Sequence, residues 1–268
     1  MLLSDKKEIK ILFIGDIFSK KGVLAVENLV PELIETENID FVVANGENSS
    51  GYEGITLRYA KRMLKAGVDV ITLGNHAFSN KDVENIFKKD TLPVIRPFNF
   101  KNVSGNGYIT IEKNNLKLNV INAIGRAFLE KLPTSDPFDN ILNIANVFTS
   151  GITVVDFHAE ATAEKVAMGN FLDGFVSTVV GTHTHVQTAD ERILPLGTAY
   201  ITDIGMTGPH DSVIGIKKSI IMEKIKTKER VRYEPAKTGI ELQGAISTIN
   251  YETKKAISIK RVKIKIAL

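Results

Sequence analysis

Val179-Val180-Gly181-Thr182-His183-Thr184-His185 is an apolar run that breaks into two histidines one residue apart, and it decides how this chain reads. The run fits a strand buried on both faces. The polar groups at its end fit the rim of an open α/β sheet, where ligands bind. In an extended backbone His183 and His185 would project to the same side, as two ligands converging on a metal pair would. The pattern recurs along the chain. Residues 9–14 run into Gly15-Asp16, residues 39–44 into Asn45-Gly46-Glu47-Asn48, residues 68–73 into Gly74-Asn75-His76, and residues 152–157 into His158.

Each of these residues has a plainer explanation when taken alone. Asp16 reads as a helix cap or turn residue, Glu47 and Asn48 as a surface turn after Asn45-Gly46, and His158 as an ordinary hydrogen-bonded histidine. Together they supply carboxylate, carboxamide and imidazole donors from separate strand ends, the set a hydrolytic metal pair needs. A carboxylate such as Glu47 can hold two cations about 3.5–4 Å apart. Asn75 offers a neutral oxygen, and His76 would stand close to the metals without having to bind one. His210, in Gly208-Pro209-His210-Asp211, reads as a turn residue outside the set.

The hydrophobic residues are spread evenly over 268 positions, which favours one domain spanning 1–268. The chain has no cysteine, which excludes disulfides, thiolate metal sites and redox chemistry from the protein itself. Asp5, Lys6, Lys7, Glu8 and Lys10 make the first ten residues unlike a signal peptide or membrane anchor, and no later apolar run reaches the length of a spanning helix. A cytoplasmic address is the default. The net charge of +3 is too mild to argue for nucleic-acid binding. Residues 217–232 hold seven basic side chains against Glu223 and Glu229; they read first as a solvated face and second as an attraction for a polyanionic substrate.

Val23, Val26, Val30 and Leu33 form a helical stripe in which Pro31 predicts a kink or break. Thr56 reads as the N-cap of a helix stopped by Gly67, and Ser79 with Asp82 as the cap of the next. Further strands are expected at 107–111, 116–122, 176–180 and 198–202. Residues 241–249 and 256–266 read as a hairpin turning at 251–254. Ile257 and Ile259 are odd-numbered and Val262, Ile264 and Ile266 even, which predicts a bulge near Lys260-Arg261.

The order Gly-Asp, Asn-Gly-Glu-Asn, Gly-Asn-His, a strand-end His and Gly-Thr-His-Thr-His resembles the calcineurin-like metallophosphoesterase superfamily, which implies a four-layer α/β/β/α sandwich. The stretches Asp156-Phe157-His158-Ala159-Glu160-Ala161-Thr162, Thr182-His183-Thr184-His185-Val186-Gln187-Thr188-Ala189-Asp190 and Thr202-Asp203-Ile204-Gly205-Met206-Thr207-Gly208-Pro209 resemble, more narrowly, the bacterial YmdB-like branch. That resemblance implies Asp16, Glu47, Asn48 and His185 around one metal and Glu47, Asn75, His158 and His183 around the other, bridged by Glu47. It also implies a phosphodiesterase acting on cyclic nucleotides, notably 2′,3′-cyclic ones, with a bearing on RNA turnover. Phe18 stands where many members of the wider superfamily have a histidine, and Ala77-Phe78 where an acidic residue often follows Asn-His.

The expected reaction is hydrolysis of a phosphodiester by a metal-activated hydroxide attacking phosphorus in line, with His76 as the catalytic acid for the leaving oxygen. The expected cofactors are two divalent or trivalent metal ions, iron and manganese foremost, with zinc, nickel or cobalt also compatible. Arg96, Asn99 and a loop over residues 206–211 are candidates for holding the nucleotide or its phosphate. The expected partner is a cyclic nucleotide or other phosphodiester substrate; membranes are excluded and a homo-oligomer is left open. Alternative readings are a phosphomonoesterase or protein phosphatase, and a metal-containing RNA-associated regulatory protein.

Overall fold

The computed structural model describes residues 7–52, 54–88 and 92–266, so the charges on Asp5 and Lys6 lie outside the described residues. The chain opens with β1 (Glu8–Ile14), β2 (Asp16–Ile17), α1 (Ser19–Glu37), β3 (Phe41–Asn45), α2 (Leu57–Lys65), β4 (Val70–Thr72) and α3 (Asp82–Lys88). There follow β5 (Tyr108–Lys113), β6 (Leu116–Ile124), α4 (Pro137–Val147), β7 (Ile152–His158), α5 (Thr162–Phe171) and β8 (Thr178–Thr182). The remainder is β9 (Arg192–Ile193), β10 (Ala199–Ile201), β11 (Met206–Pro209), α6 (Lys218–Thr227), β12 (Ile240–Asn250) and β13 (Ala256–Lys265).

Two sheets result. One runs β2-β11-β12-β1-β3-β4, with β13 paired to β12; the other runs β5-β6-β7-β8-β10-β9. Side chains alternate along each strand, so β1 sends Leu12 and Ile14 to the core under α1 and α2, and Ile11 and Phe13 to the core between the sheets. On β7, Val154 joins the inter-sheet core, while Val155 and Phe157 meet Ile141 of α4 and Met168 of α5. Covering both sheets on both faces in this way gives the four layers α/β/β/α that the resemblance implies.

Because β1, β3 and β4 run parallel, as do β6, β7 and β8, their carboxyl ends gather at one rim. Register there is tight: Ile124, His158 and Thr182 lie side by side across the second sheet. Among the described residues, no helix is long and apolar enough to cross a membrane.

Four local expectations need correction. Pro31 does not break α1, which continues to Glu37; the proline is exposed, so the Glu27 carbonyl that loses its donor lies toward water. Thr56 does cap α2, accepting from the Tyr59 N–H at 3.3 Å, but ahead of α3 it is Asn80, not Ser79, whose side chain accepts from the Asp82 N–H, at 2.9 Å. The irregularity in the terminal hairpin lies between Thr248 and Ile249 instead of near Lys260-Arg261. Ile259 packs into the inter-sheet core, and Val262 and Ile264 into the core under the helices. The change of face therefore comes from β13 being covered first on one side and then on the other, with no bulge at that point. Finally, Met206–Pro209 is a strand between β2 and β12 where a loop was expected.

Candidate metal centre

Five strand ends deliver the cluster. Asp16 follows β1, Glu47 and Asn48 follow β3, Asn75 and His76 follow β4, His158 ends β7, and His183 and His185 follow β8. His158 Nε2 is the hub: Asn75 Oδ1 lies at 2.8 Å, His183 Nδ1 at 3.0 Å and Glu47 Oε1 at 3.3 Å. Glu47, His158 and His183 form a group whose donor atoms all lie within 4.8 Å of one another. Beside it, His185 Nε2 stands 3.2 Å from Asn48 Nδ2 and 3.9 Å from Asp16 Oδ1. Every residue of the expected ligand set thus reaches one place.

The donors suit a cation. Ligands bound at roughly 2.0–2.2 Å lie about 3 Å from one another when adjacent, and that is the spacing around His158 Nε2. Asp16 Oδ1 and Asn48 Oδ1 are buried side-chain atoms with no hydrogen-bond partner. Rotating the Asn48 amide by half a turn would bring that oxygen to the side now facing Glu47 Oε1 and His185 Nε2. Gly74 leaves the space open: a Cβ there would meet His158 Nε2 at 2.3 Å and Glu47 Oε2 at 2.4 Å.

Electrostatics point the same way. Burial, its largest influence, pushes Asp16 up to about 6. Burial opposes ionisation of Glu47 too, but the adjoining His158 outweighs it and holds Glu47 below the usual carboxylate range. His158 is lowered by burial yet raised to about 9 by Glu47, Asp16 and Asp156. Burial and the charge on His158 press His183 down to about 3. Buried carboxylates here draw positive charge onto the one imidazole between them, and a metal cation would meet the same demand.

The family model described as YmdB-like protein matches residues 12–262. The chain belongs to the YmdB-like family. A Bacillus subtilis relative named 2′,3′-cyclic-nucleotide 2′-phosphodiesterase is 43% identical over 95% of this chain and 97% of its own length. A crystal structure of a Mycoplasma pneumoniae protein described as a novel phosphatase is 34% identical, covers 96% of this chain and 94% of that one, and superposes with a TM-score of 0.88. Haemophilus influenzae NAD nucleotidase, at 13% identity, shares the fold: the match covers 97% of this chain and 56% of that one with a TM-score of 0.62.

Supporting residues of this YmdB-like chain escaped the sequence reading. Asp156 is buried behind His158 and accepts hydrogen bonds from Asn45, Thr72 and Thr182; the Thr182 hydroxyl lies 2.7 Å from Asp156 Oδ1 and 2.9 Å from His158 Nδ1. The one hydroxyl proton is committed to a carboxylate that can only accept, so Thr182 accepts from His158 Nδ1–H and leaves Nε2 to face the cluster. Asp203, paired at 2.7 Å with the buried ammonium of Lys165, accepts from the Thr184 N–H and hydroxyl and so braces the His183-Thr184-His185 turn. Glu160 stands 3.0 Å from His183 Nε2. No neighbour at Ala77 orients His76; Ser79 does, at 3.3 Å from Nδ1, while the His76 N–H donates to Glu47 Oε2. Phe18, where many superfamily members place a histidine, is fully buried with its ring edge-on to His185.

Other expectations changed. His183 and His185 converge, but not from an extended backbone: β8 ends at Thr182, and their φ values are +104° and +64°. Arg96 is buried and donates to the carbonyls of Pro97, Phe98, Val103 and Ser104, and Asn99 bridges Ile124 and Ser135; both hold loops instead of standing ready for phosphate. The basic helix α6 buries none of its residues, as a solvated face should.

Proposed function

We propose that this chain, as one metallophosphoesterase domain, is a metal-dependent phosphoric diester hydrolase that opens cyclic nucleotides, 2′,3′-cyclic ones foremost, at a dinuclear centre. The observation that carries the proposal is the convergence of Glu47, Asn75 and His183 on His158 Nε2 at 2.8 to 3.3 Å, beside the partnerless Asp16 Oδ1. The name of the Bacillus subtilis relative directs the choice of ester. Asp16, Glu47, Asn48 and His185 would hold one ion and Glu47, Asn75, His158 and His183 the other. Oxygen and imidazole donors suit iron and manganese, and also zinc, nickel or cobalt. When bound, such ions supply charge neutralisation at the phosphate and acidify a water.

The chain's own residues do the rest. Glu47 contributes the charge common to both ion sites and, through Oε2, fixes the His76 backbone. With Nδ1 engaged by Ser79, His76 has Nε2 for the cavity it lines, where it donates a proton to the leaving oxygen. Cyclic phosphates arise when RNA is cleaved by its own 2′-hydroxyl, so this activity belongs with RNA turnover, and a cytoplasmic setting suits a chain without cysteine.

The test compares a chromogenic phosphodiester with its matching monoester, before and after strong chelation. The diester should turn over faster, and chelation should abolish the activity. Undiminished activity after verified metal removal would overturn the metal mechanism. Preference for the monoester would move the chain to the phosphatases.

A further inference from the structure

The pocket lined by Glu47, His76, Glu160, His183 and His185 encloses about 210 Å³. That is below the roughly 300–1,000 Å³ of ordinary small-ligand sites, so a sugar phosphate can occupy it only if the base lies elsewhere. Tyr52 lines this pocket and also a neighbouring cavity of about 540 Å³, whose walls include Arg232, Tyr233 and Pro235. The two spaces therefore adjoin at one aromatic side chain.

The Tyr52 ring centroid lies 5.9 Å from that of His76 and 5.5 Å from that of Tyr233, with the tyrosine planes tilted by 44°. Phe18, edge-on at 5.3 Å, backs Tyr52 and fixes its place. Tyr233 is different: it is 38% exposed and sits on the excursion between β11 and β12, outside both sheets. An open tyrosine pair within one ring of the reacting centre suits a nucleobase, because every base has a π-face and stacking tolerates any sequence. The charges nearby agree. Arg232 shares the wall, Lys217 neutralises Glu234, and the exposed Lys224 ammonium bonds the Tyr233 hydroxyl at the ring edge, leaving the ring face open.

We propose that the cavity between Tyr52 and Tyr233 is a nucleoside subsite, which receives the base of a nucleotide whose phosphate lies beside His76. The assignment rests on the phosphodiesterase reading, and two measurements keep them separable. The first is kcat/KM for adenosine 2′,3′-cyclic phosphate relative to a base-free methyl riboside 2,3-cyclic phosphate. Tyr233→Ala should lower that ratio about 10-fold, and Tyr233→Phe, which keeps the ring, should restore it. The second is calorimetric binding of adenosine monophosphate and of ribose 5-phosphate, which needs no turnover; only the former should weaken in Tyr233→Ala. Equal losses on both cyclic esters, or no change in the ratio together with unchanged adenosine monophosphate binding, would overturn the subsite and leave hydrolysis standing. A wild-type protein that hydrolyses neither ester yet binds adenosine monophosphate in a Tyr233-dependent way would support the subsite and sink the phosphodiesterase reading.

Discussion

Asp16, Glu47 and His158 are at most 1% exposed, whereas His76 and Tyr52 are only partly buried and Tyr233 is open to solvent. Glu47, His76 and Tyr52 line one pocket and Tyr233 the cavity beside it, but the two sets are held in different ways. The buried set stands at the ends of paired strands and is cross-braced by Asp156, Thr182 and Asp203, so its geometry is fixed before any ligand arrives. The more exposed set sits on loops and is held mainly by ring contacts. A charge-bearing centre gains from being rigid and dry, because its groups need not reorganise during reaction. A wall that meets a variable base or a departing alcohol gains from freedom to adjust.

The largest effect should therefore come from the buried side. Glu47→Gln removes the charge common to both proposed ion sites, and turnover should fall by about 10⁴-fold or more, beyond the usual range for losing a general acid. Asn48→Ala, which removes one neutral donor, should cost less. Kinetics with metal analysis on preparations of native circular dichroism would decide, and the opposite ranking would break the bridge assignment.

On the more exposed side, His76→Ala should keep most of its metal yet lose about 10²–10⁴-fold in turnover on a nucleoside 2′,3′-cyclic phosphate. A nitrophenyl diester, whose leaving group departs without a proton, should largely escape the loss. Equal losses on both esters at full metal content would make His76 a phosphate-positioning residue. Metal lost in parallel with rate would make it a ligand, and the contrast between the two regions would blur.

The same contrast explains what could be read from the sequence. Strand ends announce themselves because an apolar run stops at Asp16, Glu47, Asn75, His158 or His183, and the backbone pairing then brings these residues together. The positive φ of His183 and His185 leaves no such mark, since histidine is not a residue that requires it. Asp156 carried no signal of its own role because, within Val154-Val155-Asp156-Phe157, only tertiary packing shows that its partners are Thr72 and Thr182. Tyr233 was hidden just after a basic stretch whose helix is a solvated face; its neighbour Tyr52 is far away in the chain. Pro31 and β13 were misread for one reason: the sequence pattern does not say which layer covers a given face.

The smallest expected effect sharpens the buried half of the comparison. The Thr182 side chain touches the proposed centre only through His158, so Thr182→Val should act by releasing that ring, with no donor removed from the cluster. With its oxygen gone, His158 Nδ1–H and Asp156 Oδ1 lose their common partner, and the imidazole can adopt the tautomer that puts its proton on Nε2, toward Glu47 and His183. Losses of this indirect kind typically amount to about 10–100-fold in metal affinity. Competition against a graded series of chelators would measure that affinity directly, and Thr182→Ser, which keeps the hydroxyl, should recover it. If the valine variant binds metal as tightly as the wild type while losing thermal stability, Thr182 serves the fold alone. The rigidity of the buried cluster would then rest on strand register and on the Asp203 brace.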